Sequence, residues 1–247
     1  MRTRNFQFPQ VEYPGRIILI GLDPGGRDVV VVYAVTGRSP SSQARRMDLQ
    51  EDTVWMRPTN EELLSRGHVD LLVYPCIIVH PSGIAVSNGR QTVDILAGLG
   101  QGADPAETLA FALKEWEYEP DAPHYTPRIS GCVLAGKKAA LSLIKRDPDG
   151  SCLRSIHAFS LSPGRGKMIM TYRGENREPL PPFSGEPIDV GVSGGTPQEV
   201  AERVYTALGP MKGRKDYRVA VACVFCSDFA HKKFQGAILN RIERTGS

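Results

Sequence analysis

Residues 16–35 read RIILIGLDPGGRDVVVVYAV, and this stretch is the clearest indication of the fold class. Two apolar runs rich in β-branched residues, 16–22 and 28–35, flank the sequence Asp23-Pro24-Gly25-Gly26. Pro and Gly at these positions favour a tight turn, and β-branched residues favour extended strands. The stretch therefore predicts a β-hairpin.

Further strands are predicted on both sides of the middle of the chain. A second hairpin is expected from strands at 71–79 and 83–86, joined by His80-Pro81-Ser82. Strand patterns return between Ile129 and Tyr172, and Tyr217 to Phe225 is typical of a buried strand. The chain is thus predicted to be rich in antiparallel strands.

Helices are expected to be few. Asp104 and Thr196 are good N-cap residues, and each precedes a Pro at the first helical position. The apolar spacing of the first helix extends to Trp116, and Gly209 should end the second. A third, closing helix is predicted over Phe229 to Ile242.

This balance of elements predicts an α+β fold with antiparallel sheets. Strand and helix units do not alternate along the chain, which argues against a Rossmann-like architecture. We expect residues 1–247 to form a single domain. Within it, residues 1–12 are interpreted as an N-terminal extension and residues 173–195 as a long irregular loop.

Composition excludes several classes of protein. The 30 basic and 27 acidic residues leave a formal net charge of +3, too small to indicate a nucleic-acid partner. No apolar run approaches the roughly 20 residues that cross a membrane, and no signal-peptide core follows the first residues. We therefore expect a cytoplasmic protein with no membrane partner.

The cysteines predict neither disulfides nor a metal site. There are five, an odd number, in apolar surroundings, which is typical of reduced thiols in the cytosol. Cys223 and Cys226 are three residues apart on a predicted strand, so their thiols should face opposite sides. No cysteine or histidine pairs have zinc-like spacing, and we expect no metal ion.

The segment 117–129, EYEPDAPHYTPRI, is the strongest candidate for chemistry. Acids, tyrosines, a histidine and an arginine crowd a loop between a helix and a strand, where catalytic groups often lie. An ordinary solvated loop is an equally good interpretation of its composition. For His124 alone, an exposed loop histidine is the better interpretation.

A second candidate is the segment 35–46, VTGRSPSSQARR. Arginines mixed with hydroxyls and small residues suit a phosphate, because the guanidinium group donates paired, charged hydrogen bonds. A solvated basic loop is the commoner outcome for such a segment.

Two smaller features are also candidates. Tyr74 is a phenol within an apolar strand. Asn88-Gly89 joins a strand to a helix and is also typical of a plain turn.

Taken together, these segments resemble the archaeal-type IMP cyclohydrolase family over roughly residues 13–230. The resemblance is carried by short motifs in the family's order: Tyr13-Pro14-Gly15-Arg16, Gly37-Arg38-Ser39 with its trailing arginine, Tyr74 with Cys76-Ile77, Val86-Ser87-Asn88-Gly89 with Thr92, Tyr118-Glu119, Thr126-Pro127-Arg128-Ile129, Thr171-Tyr172 and Pro197-Gln198-Glu199.

The resemblance implies a four-layered αββα sandwich similar to that of the N-terminal-nucleophile hydrolases. It implies closure of 5-formamidoimidazole-4-carboxamide ribotide to inosine monophosphate, with loss of water and without a cofactor. By resemblance the catalytic residues are Arg45, Tyr74 and Glu119. The substrate-binding residues would be Arg38, Ser39, Asn88, Gly89, Asp121, Arg128 and Tyr172. We also expect a homo-oligomer, of a size that the sequence does not specify.

Two alternatives remain open at the level of sequence. The loop around Pro40 to Ala44 is longer than in the family pattern, so either Arg45 or Arg46 can be the matching arginine. A nucleotide-binding protein without turnover could also use the same scaffold, although it would need neither Tyr74 nor Glu119. A self-processed N-terminal-nucleophile amidohydrolase is disfavoured, because no suitable cleavage site is evident.

Overall fold

The computed structural model describes residues 8–60, 73–101 and 104–244. Its strands are β1 (Arg16–Leu22), β2 (Val29–Thr36), β3 (Arg45–Gln50), β4 (Thr53–Pro58), β5 (Tyr74–His80), β6 (Gly83–Ser87), β7 (Arg128–Leu134), β8 (Lys138–Arg146), β9 (Cys152–Ser160), β10 (Arg165–Met170), β11 (Ile188–Gly191), β12 (Arg218–Asp228) and β13 (Lys233–Asn240). Its helices are α1 (Pro40–Gln43), α2 (Gln91–Gly98), α3 (Pro105–Ala112), α4 (Pro197–Ala207) and α5 (Arg241–Arg244).

The opening hairpin is confirmed. β1 and β2 pair antiparallel from Arg16 opposite Val35 to Leu22 opposite Val29. The Asp23 carboxylate accepts hydrogen bonds from the backbone N–H groups of Gly25, Arg27 and Asp28, at 2.6–2.8 Å. An aspartate that satisfies three backbone donors fixes the turn between the strands.

Two antiparallel sheets form the body of the protein, which confirms the α+β class. One sheet has six strands in the order β11-β10-β1-β2-β12-β13, and the other has seven strands, β3 to β9, in chain order. The sheets pack against each other, β1 on β7 and β3 on β12 and β13. The predicted second hairpin is confirmed as β5 and β6, although residues 71 and 72 of its first strand lie outside the described residues.

Close approach of the sheets depends on a small residue at one point. A Cβ atom added to Gly131 of β7 would lie 2.7 Å from Cδ1 of Ile20 on β1. That distance is shorter than any ordinary van der Waals contact. Gly131 therefore lets the two sheets meet near the middle of the core.

Helices cover parts of both sheets. α4 packs on β2, β12 and β13, and α2 and α3 pack on β5 to β9 through a separate apolar cluster. Asp104 and Thr196 cap α3 and α4 as predicted. However, α3 ends at Ala112, one turn before Trp116. The Trp116 indole N–H instead donates a hydrogen bond to Asp94 on α2 at 2.7 Å.

Two predicted elements are corrected by the structure. The closing helix expected over Phe229 to Ile242 is wrong, because most of it is strand β13, and helix is confined to Arg241–Arg244. Pairing with β12 overrides the helical spacing of the apolar residues, and Gly236 packs closely on Leu49. The loop 173–195 is irregular only in part, since β11 adds to β10 within it.

Candidate active site

Chemistry-bearing side chains converge at one end of the two sheets. β1, β3, β5 and β7 begin there with Arg16, Arg45, Tyr74 and Arg128, respectively. β6 and β10 end at the same place, so the segments after them supply Asn88 and Tyr172. Antiparallel pairing thus brings together residues that are far apart in the sequence.

Glu119 is buried in the loop that leads into β7. Its side chain is 6% exposed; Oε1 accepts a hydrogen bond from Nδ2 of Asn88 at 3.3 Å and lies 3.9 Å from Nη1 of Arg128. Burial raises the pKa of Glu119 above its ordinary 4.5, and the positive charges of Arg16 and Arg128 oppose this rise. A buried carboxylate with a raised pKa is a good candidate to accept a proton.

Two arginines extend into the same region. Burial and the neighbouring charge of Arg16 both lower the pKa of Arg45, which is 3% exposed. For Arg16, burial alone would lower the pKa, but the Glu119 carboxylate raises it above the ordinary value. Among the described residues, Nε of Arg16 and Nη2 of Arg45 are buried without a hydrogen-bond partner. Buried donors of this kind are costly unless they meet an acceptor, which an oxygen-rich ligand would provide.

Tyr74 is fully buried and joins the two sheets. Its hydroxyl lies 3.0 Å from the hydroxyl of Tyr33 on β2, and either oxygen can be the donor. Burial raises the pKa of the Tyr74 phenol, and the charges of Arg45 and Arg16 work against that rise. The phenol is therefore neutral and able to donate a proton or a hydrogen bond. We call Arg16, Arg45, Tyr74 and Glu119 the buried cluster.

Asn88 is committed to contacts within the protein. Its Oδ1 accepts from the backbone N–H of Ile129 at 2.9 Å and from Nε2 of Gln91 at 3.1 Å. Its Nδ2 donates to the Pro127 carbonyl at 3.0 Å as well as to Glu119. Asn88 thus orients Glu119 rather than facing open space.

Gly89 and Arg128 make the wall beside Asn88. A Cβ on Gly89 would lie 3.0 Å from Nη1 of Arg128, so glycine leaves room for the guanidinium group. Arg128 also donates through Nε to the Glu117 carbonyl at 2.7 Å and stacks over the Trp116 ring. Burial lowers the pKa of Arg128, while the Glu119 carboxylate opposes that shift.

Asp121 and Tyr172 meet through Thr126. Asp121 accepts hydrogen bonds from both the backbone N–H and the hydroxyl of Thr126. The Thr126 hydroxyl is also 2.7 Å from that of Tyr172, and burial raises the pKa of Tyr172 to about 12. Asp121 therefore shapes the loop after Glu119, and Tyr172 is joined to that loop through the Thr126 hydroxyl. Gly15, with φ +77°, makes room for the Tyr172 ring.

The structure separates the residues of the 35–46 segment. The Ser39 hydroxyl is the N-cap of α1 and accepts from the backbone N–H of Ser42 at 3.1 Å. Arg38 lies outside the buried cluster, over the ring of Tyr13 at 5.1 Å. Alternation along β3 points Arg45 inward and leaves Arg46 exposed, so Arg45 is the arginine at the cluster.

Sequence reasoning missed Arg16 and Tyr33 as candidate site residues. Arg16 belongs to the Tyr-Pro-Gly-Arg motif, and a charge that opens an apolar strand was a usable signal. Tyr33 interrupts a run of β-branched residues in the same way as Tyr74 does. Its role became visible only when the structure placed β2 opposite β5.

The cysteines are free and mostly buried. Cys223 and Cys226 are both in β12, and burial raises the pKa of each thiol, to about 11 for Cys226. Within the described ranges, no three His, Cys, Asp or Glu residues are grouped so as to hold a metal ion. No helix described by the structure is long and apolar enough to span a membrane.

Comparison with known proteins gives the same family throughout. A family described as IMP cyclohydrolase-like protein matches residues 13–228. The IMP cyclohydrolase of Methanothrix thermoacetophila is 31% identical over 68% of this chain and 78% of its own length. The IMP cyclohydrolase of Methanocaldococcus jannaschii is 27% identical over 78% of this chain and 85% of its own length.

Proposed function

The chain belongs to the IMP cyclohydrolase-like family, and we propose that the pocket around the buried cluster is where it closes the ribotide ring. The enzyme is a cyclohydrolase of purine biosynthesis, a hydrolase of the class that acts on carbon–nitrogen bonds in cyclic amidines. Its substrate is 5-formamidoimidazole-4-carboxamide ribotide, and its products are inosine monophosphate and water. The observation that carries the placement is the convergence of a buried carboxylate, a phenol and two arginines with unused donors.

The reaction needs a base, an acid and a fixed geometry. The carboxamide nitrogen attacks the formyl carbon, and the formyl oxygen then leaves as water. The two hydrogens of that water come from the carboxamide nitrogen and the formamide nitrogen. An amide is a weak nucleophile, so a carboxylate that takes its proton lowers the barrier. Holding both arms of one substrate together contributes a further large part of the rate.

Each step has a residue suited to it in the pocket. Glu119 accepts the proton from the carboxamide nitrogen. The Tyr74 hydroxyl donates to the formyl oxygen as negative charge develops there, and Arg45 and Arg16 stabilise that charge. The chemistry requires neither electron transfer nor a second substrate, and we predict turnover without a cofactor.

Substrate contacts are proposed next to the buried cluster. Arg38 is positioned for the phosphate, and Arg128 and Tyr172 line the wall on the Glu119 side. Asn88, Gly89 and Asp121 act mainly by shaping that wall, as their internal hydrogen bonds indicate. Ser39 contributes through its cap on α1, which sets the start of β3 and the position of Arg45.

We also propose that the fold is the four-layered αββα sandwich of the N-terminal-nucleophile hydrolases, formed by the whole chain as one domain. The two face-packed antiparallel sheets, with α4 against one and α2 and α3 against the other, support this proposal. A homo-oligomer remains an expectation that gel filtration with light scattering would test.

The alternative is a purine-nucleotide-binding protein on the same scaffold without turnover. Calorimetry with IMP and a turnover assay with the formylated ribotide distinguish the two functions. The proposed function predicts both binding and IMP formation. Tight IMP binding with no product formation would instead establish the binding protein.

A further inference from the structure

A carboxylate from the irregular segment after β10 contacts two basic side chains, those of Arg38 and His124. Oε1 of Glu178 lies 2.8 Å from Nη2 of Arg38, and its Oε2 lies 3.6 Å from Nδ1 of His124. Arg38 lies between β2 and α1, and His124 lies in the loop before β7, so the two basic groups come from separate segments of the chain. Both are directed at the same anionic group.

The two basic side chains are largely buried, whereas that of Glu178 is mostly exposed to solvent. The side chains of Arg38 and His124 are 22% and 31% exposed, compared with 62% for Glu178. Nδ1 of His124 is buried and has no hydrogen-bond partner among the described residues. Glu178 therefore contacts both side chains while remaining mostly exposed itself.

This contact lies next to the buried cluster. The Arg38 guanidinium group stacks over Tyr13, whose ring stacks on Tyr172 with centroids 5.8 Å apart. Nη1 of Arg38 is held by Oδ1 of Asn176 at 3.1 Å, and Asn176 in turn donates to the Tyr217 hydroxyl at 2.9 Å. The guanidinium group is thus fixed in place, with Nη2 left for an anion.

We propose that Arg38 and His124 form the subsite for the phosphate group of the ribotide, and that Glu178 occupies this subsite in the free protein. The inference rests on the proposed function and concerns how its substrate enters. A phosphate monoester carries more negative charge than a carboxylate and has three acceptor oxygens. It therefore displaces Glu178 and takes over its two contacts.

Because the phosphate has to displace Glu178, the ligand binds slightly more weakly than it would if this carboxylate carried no charge. An ion pair with one well-exposed partner contributes little, so removing the competing charge should tighten binding by about two- to fivefold. Glu178→Gln keeps the length of the side chain and loses its charge. The gain should be confined to ligands that carry a phosphate.

The test is calorimetric titration of the full chain with IMP and, separately, with inosine, which lacks the phosphate. Glu178→Gln should bind IMP about two- to fivefold more tightly, while inosine binding stays unchanged. Arg38→Ala and His124→Gln should weaken IMP binding and leave inosine binding unchanged. Glu175→Gln is the matched control, because Glu175 is a nearby exposed acid that pairs with Arg177 and should have no effect.

Several outcomes overturn the proposal. Glu178→Gln with unchanged or weaker IMP affinity shows that the carboxylate does not compete with the phosphate. If Glu178→Gln changes the affinities for IMP and inosine equally, Glu178 does not act at a phosphate subsite. If Arg38→Ala binds IMP normally, Arg38 does not contact the phosphate. Because binding is measured without turnover, a failure of the catalytic function would leave these results interpretable.

Discussion

Replacing Glu119 with Gln tests the proton-accepting role in the proposed reaction. Gln has the same size, and its Oε1 can still accept the hydrogen bond from Asn88 that Glu119 now accepts at 3.3 Å. The variant loses the negative charge between Arg16 and Arg128, and it loses the site that takes the proton. Its fold should survive, since the side chain stays polar and of equal volume.

The size of the effect follows from what a general base contributes. Loss of a positioned base lowers rates by about two to four orders of magnitude, which corresponds to roughly 3–5 kcal/mol of activation free energy. Glu119 belongs to the buried cluster and not to the proposed phosphate subsite, so KM should change much less than kcat. The loss should therefore appear almost entirely in kcat.

The assay is continuous absorbance of IMP formation from the formylated ribotide, with the fold of each variant checked by circular dichroism. Glu117→Gln is the matched control, because it removes an exposed acid two residues away in the same loop. Near-normal kcat for Glu119→Gln refutes the assignment. A dead Asp121→Asn variant beside an active Glu119→Gln would move the base to Asp121.

The pH dependence supplies a second readout of the same prediction. Burial raises the pKa of Glu119 above 4.5. The base acts only when deprotonated, so kcat should be full above this raised pKa and fall as the pH drops through it. The acid limb should lie at higher pH than for a solvated glutamate and should be absent from the residual activity of Glu119→Gln. An unchanged limb in the variant would assign it to another group.

Three further predictions concern neighbouring residues. Tyr74→Phe should lower kcat about 100- to 1000-fold with little change in KM, measured in the same assay. A fully active variant contradicts its role as donor. Arg45→Ala should lower kcat/KM about 100- to 1000-fold. Arg46→Ala, on the exposed face of β3, should keep kcat/KM within about twofold. A larger loss for Arg46→Ala than for Arg45→Ala would mean that the wrong arginine was assigned. Gly131→Ala should lower the melting temperature by several degrees, since overpacking against Ile20 costs about 1–3 kcal/mol. An unchanged melting temperature would show that the two sheets accommodate the added methyl group without cost.

Local patterns were sufficient to predict much of the fold. The hairpin of β1 and β2 follows from two β-branched runs around Asp23-Pro24-Gly25-Gly26, and the Asp23 carboxylate fixes the turn that this sequence predicts. The starts of α3 and α4 follow from their N-cap residues. These features depend on neighbours in the chain, which sequence reasoning can evaluate.

Features set by distant partners were not predictable in this way. Strand β13 has apolar residues at a spacing that also suits a helix, and its pairing with β12 decides the outcome. α3 stops at Ala112 although the apolar pattern continues. Which of Arg45 and Arg46 faces the core depends on how β3 packs in its sheet, and the sequence alone does not show this.

The candidate site, like the fold, was predicted from the sequence only in part. The resemblance to the family selected Arg45, Tyr74 and Glu119, and the structure brings these three residues to one end of the two sheets. Arg16 is part of the Tyr-Pro-Gly-Arg motif, but the motif does not predict its nearness to Glu119, which depends on how β1 packs on β7. Their catalytic roles remain predictions.

The most direct measurement is product formation by the purified full chain with 5-formamidoimidazole-4-carboxamide ribotide as the sole substrate, in a buffer with a metal chelator. The parent protein and Glu119→Gln are followed in parallel, with IMP identified by chromatography and mass. The parent protein should form IMP in many turnovers per active site, and the variant should be slower by at least about a hundredfold. A parent protein that forms no IMP, or equal rates for the two proteins, would contradict the assignment of ring closure to the buried cluster.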